Sequence, residues 1–442
     1  MNTFGMRRVL YGLLIAALLS SPFQSSLPAR AQDQTVIDQP DRSSVEEARA
    51  SEARVISGPI ADAALDQAPA PDRAVVVDRE NPNWQTVYGT EAGRQLLPPR
   101  RSEVPAQIDG ATPPLNGFWI TRTIQSGTNG ITAIAYAPDG RLFAGLSNGG
   151  LRVYGPNASG IYGWTSITAS PGGLPSNWVS SLAIFNGDLW VGTLGAGVGV
   201  YDLNNGTWSS FTVANSPLPH DTVNRLTPVA DPNVIDYIWI STNGGAAKYT
   251  PSRPLPSWNI INTVDGLPSN TVYDVAVDID GATVTTYFAN YGGFTTWTGT
   301  TFSNNQGGGS CLFNYPKRVI VDRQDRVWVI PVDIVPERAE APQVDLAAGV
   351  CRRTFNGFTY TWTRYNTTSP GLPNNDVTDL SEDHAGRIWM SMQGATGGGA
   401  VYDNGTWKLY TTPTSPLLSN DLRRVLAVGE AIWWGQGGAN AH

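Results

Sequence analysis

Gly371-Leu372-Pro373-Asn374-Asn375-Asp376-Val377 opens the stretch that decides the fold. An apolar-polar run continues to Asp383. It is followed by the turn His384-Ala385-Gly386, the segment Arg387-Ile388-Trp389-Met390-Ser391-Met392 and a glycine cluster. Ala400-Val401-Tyr402-Asp403, the turn Asn404-Gly405-Thr406 and Trp407-Lys408-Leu409-Tyr410 complete the stretch. Four short runs rich in β-formers are thus separated by turn chemistry, with no helical period between them. Their connections are too short for crossovers, so the strands must form an antiparallel meander, each pairing with the next. One such sheet cannot bury both of its apolar faces, which predicts copies of it elsewhere in the chain.

The copies are present. The aromatic that begins the last strand recurs at Trp119, Trp164, Trp208, Trp258, Phe302, Trp362 and Trp407, at intervals of 45, 44, 50, 44, 60 and 45 residues. That spacing belongs to propeller blades and exceeds that of shorter solenoid repeats. The loop leading into each unit repeats as Leu174-Pro175-Ser176-Asn177, Leu218-Pro219-His220-Asp221, Leu267-Pro268-Ser269-Asn270, Leu372-Pro373-Asn374-Asn375 and, more loosely, Leu417-Leu418-Ser419-Asn420. Second strands carry Trp190, Trp239, Trp328, Trp389 and Trp433. The expectation is an all-β, seven-bladed β-propeller of four-stranded antiparallel blades. The C-terminal copy lacks a fourth strand, and Asn116-Gly117-Phe118-Trp119-Ile120-Thr121-Arg122-Thr123 matches that strand elsewhere. Closure of the ring by pairing of N-terminal and C-terminal strands is therefore expected.

These residues resemble the two-component-regulator propeller repeat. Its pattern is a Leu-Pro-x-Asn loop, an Asp-x-x-Gly turn, a Leu-Trp-x-Gly-Thr strand and a Gly-x-x-x-Tyr strand. The best matches are Gly187-Asp188-Leu189-Trp190-Val191-Gly192-Thr193 with Gly199-Val200-Tyr201, and Asp383-His384-Ala385-Gly386-Arg387-Ile388-Trp389. The resemblance covers about residues 113–442. It implies the fold of the periplasmic sensory half of membrane-spanning histidine kinases. With no transmembrane helix or kinase segment after the propeller, the expectation here is a free or surface-associated recognition module.

The N-terminal quarter reads differently. Arg7-Arg8, the apolar run 9–19 and Ala29-Arg30-Ala31 predict a secretory signal peptide over residues 1–31, because that run is too short to span a bilayer. Residues 32–112 are rich in Pro, Ala, Ser and charge and poor in aromatics, and are expected to be a disordered tail preceding the propeller at 113–442. The expected localisation is secreted, periplasmic or cell-surface, with no membrane span in the mature chain.

A net charge of −8 excludes a phosphate-neutralising surface, so no nucleic-acid partner is expected. In an oxidising compartment, Cys311 and Cys351, the only cysteines, are expected to form a structural disulfide. Without His partners they offer no metal site, and no cofactor motif is present. An alternative enzyme reading is a streptogramin-lyase-like propeller, but such chemistry needs a clustered acid/base pair. His220 falls in a lead-in loop and His384 in a first-to-second-strand turn, on opposite faces, so no catalytic residue is assigned. A purely structural surface protein is a third reading.

The favoured reading is a non-catalytic module that binds a carbohydrate or peptidoglycan-like ligand, or a protein partner. Lead-in loops and second-to-third-strand loops emerge on one side of a propeller, which puts Asn177, Trp178, His220, Asp221, Asn270, Asn375 and Asn420 around one mouth with Asn243, Tyr291 and Gln393. Amides and exposed rings suit hydroxyl-rich ligands. Asparagines in such loops also cap turns through the backbone, and each residue taken singly fits that role equally.

Overall fold

The computed structural model describes residues 129–231, 234–251, 256–305, 307–308, 311–312, 315–331, 349–355 and 357–437, together with Arg122 and Ile124. The expected signal peptide and tail, residues 1–112, lie outside that set. Every four-stranded sheet pairs strands in chain order and in antiparallel register, as the short turns require. Six such sheets follow one another. Numbered one to six, these blades begin with the strands Ile131–Tyr136, Val179–Phe185, Val223–Asp231, Val272–Asp280, Pro316–Val321 and Val377–Glu382.

Among the described residues the count is therefore six blades, not seven. Six of the recurring aromatics, Trp164 to Trp407, do lie in fourth strands. The seventh, Trp119, lies outside the described residues. The last copy is a two-stranded hairpin, Leu422–Val428 with Ala431–Gln436. After the hairpin Gly437 is described, and residues 438–442 lie outside the described residues. Of the segment expected to supply its fourth strand, Arg122 alone is described; it is in no strand, and its guanidinium lies over the Tyr154 ring of blade one at 5.1 Å. The hairpin meets blade one by packing. A Cβ on Gly435 would sit 2.7 Å from Ile131 Cγ2, Trp433 stacks on Tyr136 at 6.4 Å, and Arg424 Nε donates to the Thr132 carbonyl.

Contacts between blades explain the repeated Trp and Tyr. The second-strand Trp of one blade packs on an aromatic of the next: Trp190 on Tyr249 at 5.4 Å, Trp239 on Phe288 at 5.5 Å, Trp328 on Tyr402 at 5.1 Å and Trp389 on Trp434 at 5.6 Å. Each such pair is worth about 0.5–1.5 kcal/mol beyond its buried area. Gly399 is small for this reason, since a Cβ there would lie 2.7 Å from the Trp434 ring. Both cysteines are buried, and the Cys311–Cys351 disulfide is formed. It ties a short two-stranded sheet, Gly307–Gly308 with Cys311–Leu312, to the third strand of blade five, Val350–Phe355.

Candidate ligand-binding mouth and central channel

First strands of all six blades and of the hairpin line a central channel of about 400 Å³. Each of these seven strands carries a β-bulge at its second residue, so that the first and third pair with the neighbouring strand and the second is skipped. Bulges re-aim side chains. In four of the seven the skipped residue bonds to the next first strand: Thr132 Oγ1 donates to Val179 O (2.6 Å), Ser180 Oγ to Val223 O (2.5 Å), Asn224 Nδ2 to Val272 O (2.7 Å) and Thr378 Oγ1 to Leu422 O (3.0 Å). Each acceptor is the first residue of the following first strand.

The third residues, in ring order, are Ala133, Ser181, Arg225, Asp274, Arg318, Asp379 and Arg424, all of them lining the channel except Asp274, which is fully buried. Asp274 Oδ2 accepts from the Val319 N–H (2.9 Å) and from Arg318 Nη1 (2.6 Å). Asp379 Oδ1 accepts from Arg318 Nε (2.8 Å) and, across the channel, from Arg225 Nη2 (2.7 Å), while its Oδ2 faces the Val425 N–H at 3.4 Å. Burial acts to raise the Asp379 carboxyl, but Arg225, Arg318 and Arg424 outweigh it and hold the pKa down at about 2. The result is a charged plate across the channel. Sequence reading missed it, although a charge at the third place of an otherwise apolar first strand, as in Val272-Tyr273-Asp274-Val275, was its visible sign.

On the lead-in side of the plate a chain of polar groups continues. Lys317 Nζ lies 3.3 Å from Asp376 Oδ1, Gln393 Nε2 donates to Asp376 Oδ2, Arg423 Nη1 donates to Gln393 Oε1 at 2.6 Å, and Arg423 Nε lies 3.1 Å from Asp421. Beside it, Tyr315 and Tyr291 meet with ring centroids 4.3 Å apart and hydroxyls 3.2 Å apart. Lead-in loops and second-to-third-strand loops bond to one another on this side, as in Gly197 N to Asp221 O (2.8 Å) and Gly150 N to Asn177 O (3.0 Å).

The acceptor side chains of the repeated loops have a uniform placement. Asn177, Asp221, Asn270, Asn375 and Asn420 each turn Oδ1 back to a backbone N–H seven or eight residues earlier, on Ala169, Val213, Thr263, Thr367 and Thr412 at 2.7–2.9 Å. His220 Nδ1 accepts from the Thr222 N–H at 2.8 Å, and Asn243 Oδ1 accepts from Asn224 at 3.0 Å. Trp178 and Tyr291 are exposed, at 47% and 48%. Of the ten expected site residues, the structure brings Tyr291 and Gln393 into contact with neighbours at the mouth, leaves Trp178 open and bonds Asn243 to the Asn224 side chain; the other six accept from local backbone N–H groups.

The opposite end of the channel holds Glu382, which accepts from the Arg323 N–H at 3.0 Å. Burial, helped by Asp322 and opposed by that hydrogen bond, pushes its carboxyl up to about 7. His384 Nδ1 lies 2.8 Å from Gly429 O at this end, away from His220. Among the described residues no cluster of three or more His, Cys, Asp or Glu is placed to hold a metal, and no helix is long and apolar enough to cross a membrane.

This geometry can be set beside known proteins. Residues 371–394 match the two component regulator propeller family, in the lead-in loop, bulged first strand and aspartate turn of blade six. One stretch of the chain, in blade six, carries that repeat. Two similar solved structures are extracellular domains of chains assigned as hybrid two component systems of B. thetaiotaomicron. One is 15% identical with a TM-score of 0.52, over 72% of this chain and 40% of that one. The other is 18% identical with a TM-score of 0.52, over 72% and 38%. This chain thus spans about two fifths of their length, and at these identities the likeness is one of fold. A virginiamycin B lyase from Staphylococcus aureus with quinupristin is similar at 12% identity, TM-score 0.48, over 71% of this chain and 94% of that one. No curated protein matches the sequence.

Proposed function

We propose that this chain is an exported, non-catalytic recognition propeller that takes a hydroxyl-rich ligand, of carbohydrate or peptidoglycan-fragment class, at its lead-in mouth. The observation that carries the reading is the Tyr291–Tyr315 pair beside the Lys317–Asp376–Gln393–Arg423 chain. Aromatic faces stack on the apolar faces of sugar rings, and amide, carboxylate and cationic groups around them exchange hydrogen bonds with hydroxyls. Exposed Trp178 adds a second stacking surface. The repeat and the fold of extracellular sensor domains are consistent with this reading.

The test is a binding screen of glycans and peptidoglycan fragments against the full chain, followed by Tyr315→Ala and Trp178→Ala. Each variant is expected to weaken the best ligand by about tenfold, the worth of roughly one stacking contact, with the thermal midpoint unchanged. Affinity equal to that of the unmodified chain in both variants would place binding elsewhere. Asn270→Ala is expected to behave otherwise, lowering stability by about 1 kcal/mol, because its Oδ1 closes the Thr263 turn.

A further inference from the structure

Around the channel plate, charge alternates from Arg225 to Arg424 and then breaks at Ala133 and Ser181. Three guanidinium groups face two carboxylates there. Arg225 and Arg318 each hold a carboxylate oxygen. Arg424 does not. Its Nε and Nη1 donate to the carbonyls of Thr132 and Arg423, and its Nη2 has no partner among the described residues. Burial, opposed by Asp379 and reinforced by Arg225 and Arg318, lowers its pKa to about 10. Across the gap, buried Ser181 uses Oγ to accept the Leu226 N–H at 3.1 Å, and its own hydroxyl proton has no acceptor among the described residues. A cation bonded to no carboxylate oxygen and a buried hydroxyl without an acceptor among the described residues thus meet at the place where the ring carries small side chains.

We propose that the channel binds a small carboxylate in this gap, where it accepts hydrogen bonds from Arg424 Nη2 and the Ser181 hydroxyl. One negative charge balances the plate; a phosphate dianion overshoots it. The channel volume of about 400 Å³ has ample room for a carboxylate group and the body attached to it. That group is either a free small acid or the carboxyl of a larger ligand reaching down from the mouth. The site stands apart from the tyrosine pair, so either proposal survives the failure of the other.

Titration calorimetry of the full chain, at constant ionic strength, with lactate, lactamide, glucuronate and inorganic phosphate tests this. Lactate or glucuronate is expected to bind, and lactamide and phosphate at least about tenfold more weakly, since charge-assisted hydrogen bonds are lost or charge is mismatched. Binding of glucuronate alone assigns the carboxyl to a larger ligand; binding of lactate as well assigns it to a free acid. Equal binding of lactate and lactamide, or none by either carboxylate, overturns the proposal. Arg424→Met is expected to lower carboxylate affinity at least tenfold, and unchanged affinity counts against the site. Should that variant not fold, Ser181→Asp decides. It places a carboxylate where Asp274 and Asp379 sit in their own strands, and is expected to raise the thermal midpoint and abolish the response to lactate. A lowered midpoint overturns the charge argument.

Discussion

The Asp383 carboxylate accepts from the N–H groups of Ala385 (2.9 Å) and Arg387 (3.0 Å) through one oxygen, and from Arg387 Nε (2.6 Å) and Trp389 Nε1 (2.7 Å) through the other. Asp322 repeats this with Gln324, Arg326 and Trp328 in blade five. The Asp-x-x-Gly-Arg-x-Trp spelling was legible in the sequence because all its partners lie within six residues of one another. Gly386 takes the left-handed conformation at φ 79°, where Asp325 stands in blade five at φ 58°. In blades two and three the indoles of Trp190 and Trp239 have no N–H partner among the described residues. Asp383→Ala is expected to cost about 3 kcal/mol or more in urea unfolding, because it leaves Arg387 and the Trp389 N–H buried without their acceptor.

Glu382 gives a pH-dependent expectation. Its folded pKa of about 7 lies above its ordinary value, so between roughly pH 4.5 and 7 the folded state holds a proton that the unfolded state has released. Stability from this group therefore falls as pH rises through that window, by up to about 3 kcal/mol. Glu382→Gln keeps the acceptor for the Arg323 N–H and removes the ionisation. The variant should match the unmodified chain near pH 4.5 and exceed it at pH 8; thermal midpoints that differ equally at both values would show that Glu382 ionises without penalty.

At the scale of the strand, the first-strand bulge adds hydrogen bonds between blades to their aromatic packing. Removing its side chain in Ser180→Ala, which deletes the bond to Val223 O, should cost about 1 kcal/mol, as should Thr378→Ala at Leu422 O. Being far apart, the two losses should add in the double variant. None of this could be read from the sequence. A bulge is defined by its partner's register, and the five charges of the plate are spread along the chain at roughly blade spacing. By contrast, the loop asparagines were legible in position but ambiguous in role, and their Oδ1 atoms are in fact occupied by local N–H groups. The Cys311–Cys351 bond spans a sequence separation of 40 residues. Replacing both cysteines with serine should lower stability by about 3 kcal/mol, read by chemical denaturation under non-reducing conditions.

For the whole molecule, repeat spacing identified a propeller with four-stranded meanders but overcounted its blades. The Trp119 match was local and said nothing of pairing between segments roughly 300 residues apart, whereas the other six aromatics each had three strands adjoining in sequence. Seven first strands still line the channel because the hairpin, two of whose strands are described, contributes one. The two ends of that channel differ. Exposed rings and a linked set of polar side chains lie on the lead-in side, and Glu382 with the His384–Gly429 contact lies on the other. The recognition site is therefore proposed on the lead-in side. Hydroxyl-radical footprinting of the full chain, with and without the tightest ligand from the binding screen, tests that assignment most directly. The account predicts protection of Trp178, Tyr291 and Tyr315 with His384 and Tyr360 unchanged; protection of His384 or the first-to-second-strand turns, with the three rings unaffected, would contradict it.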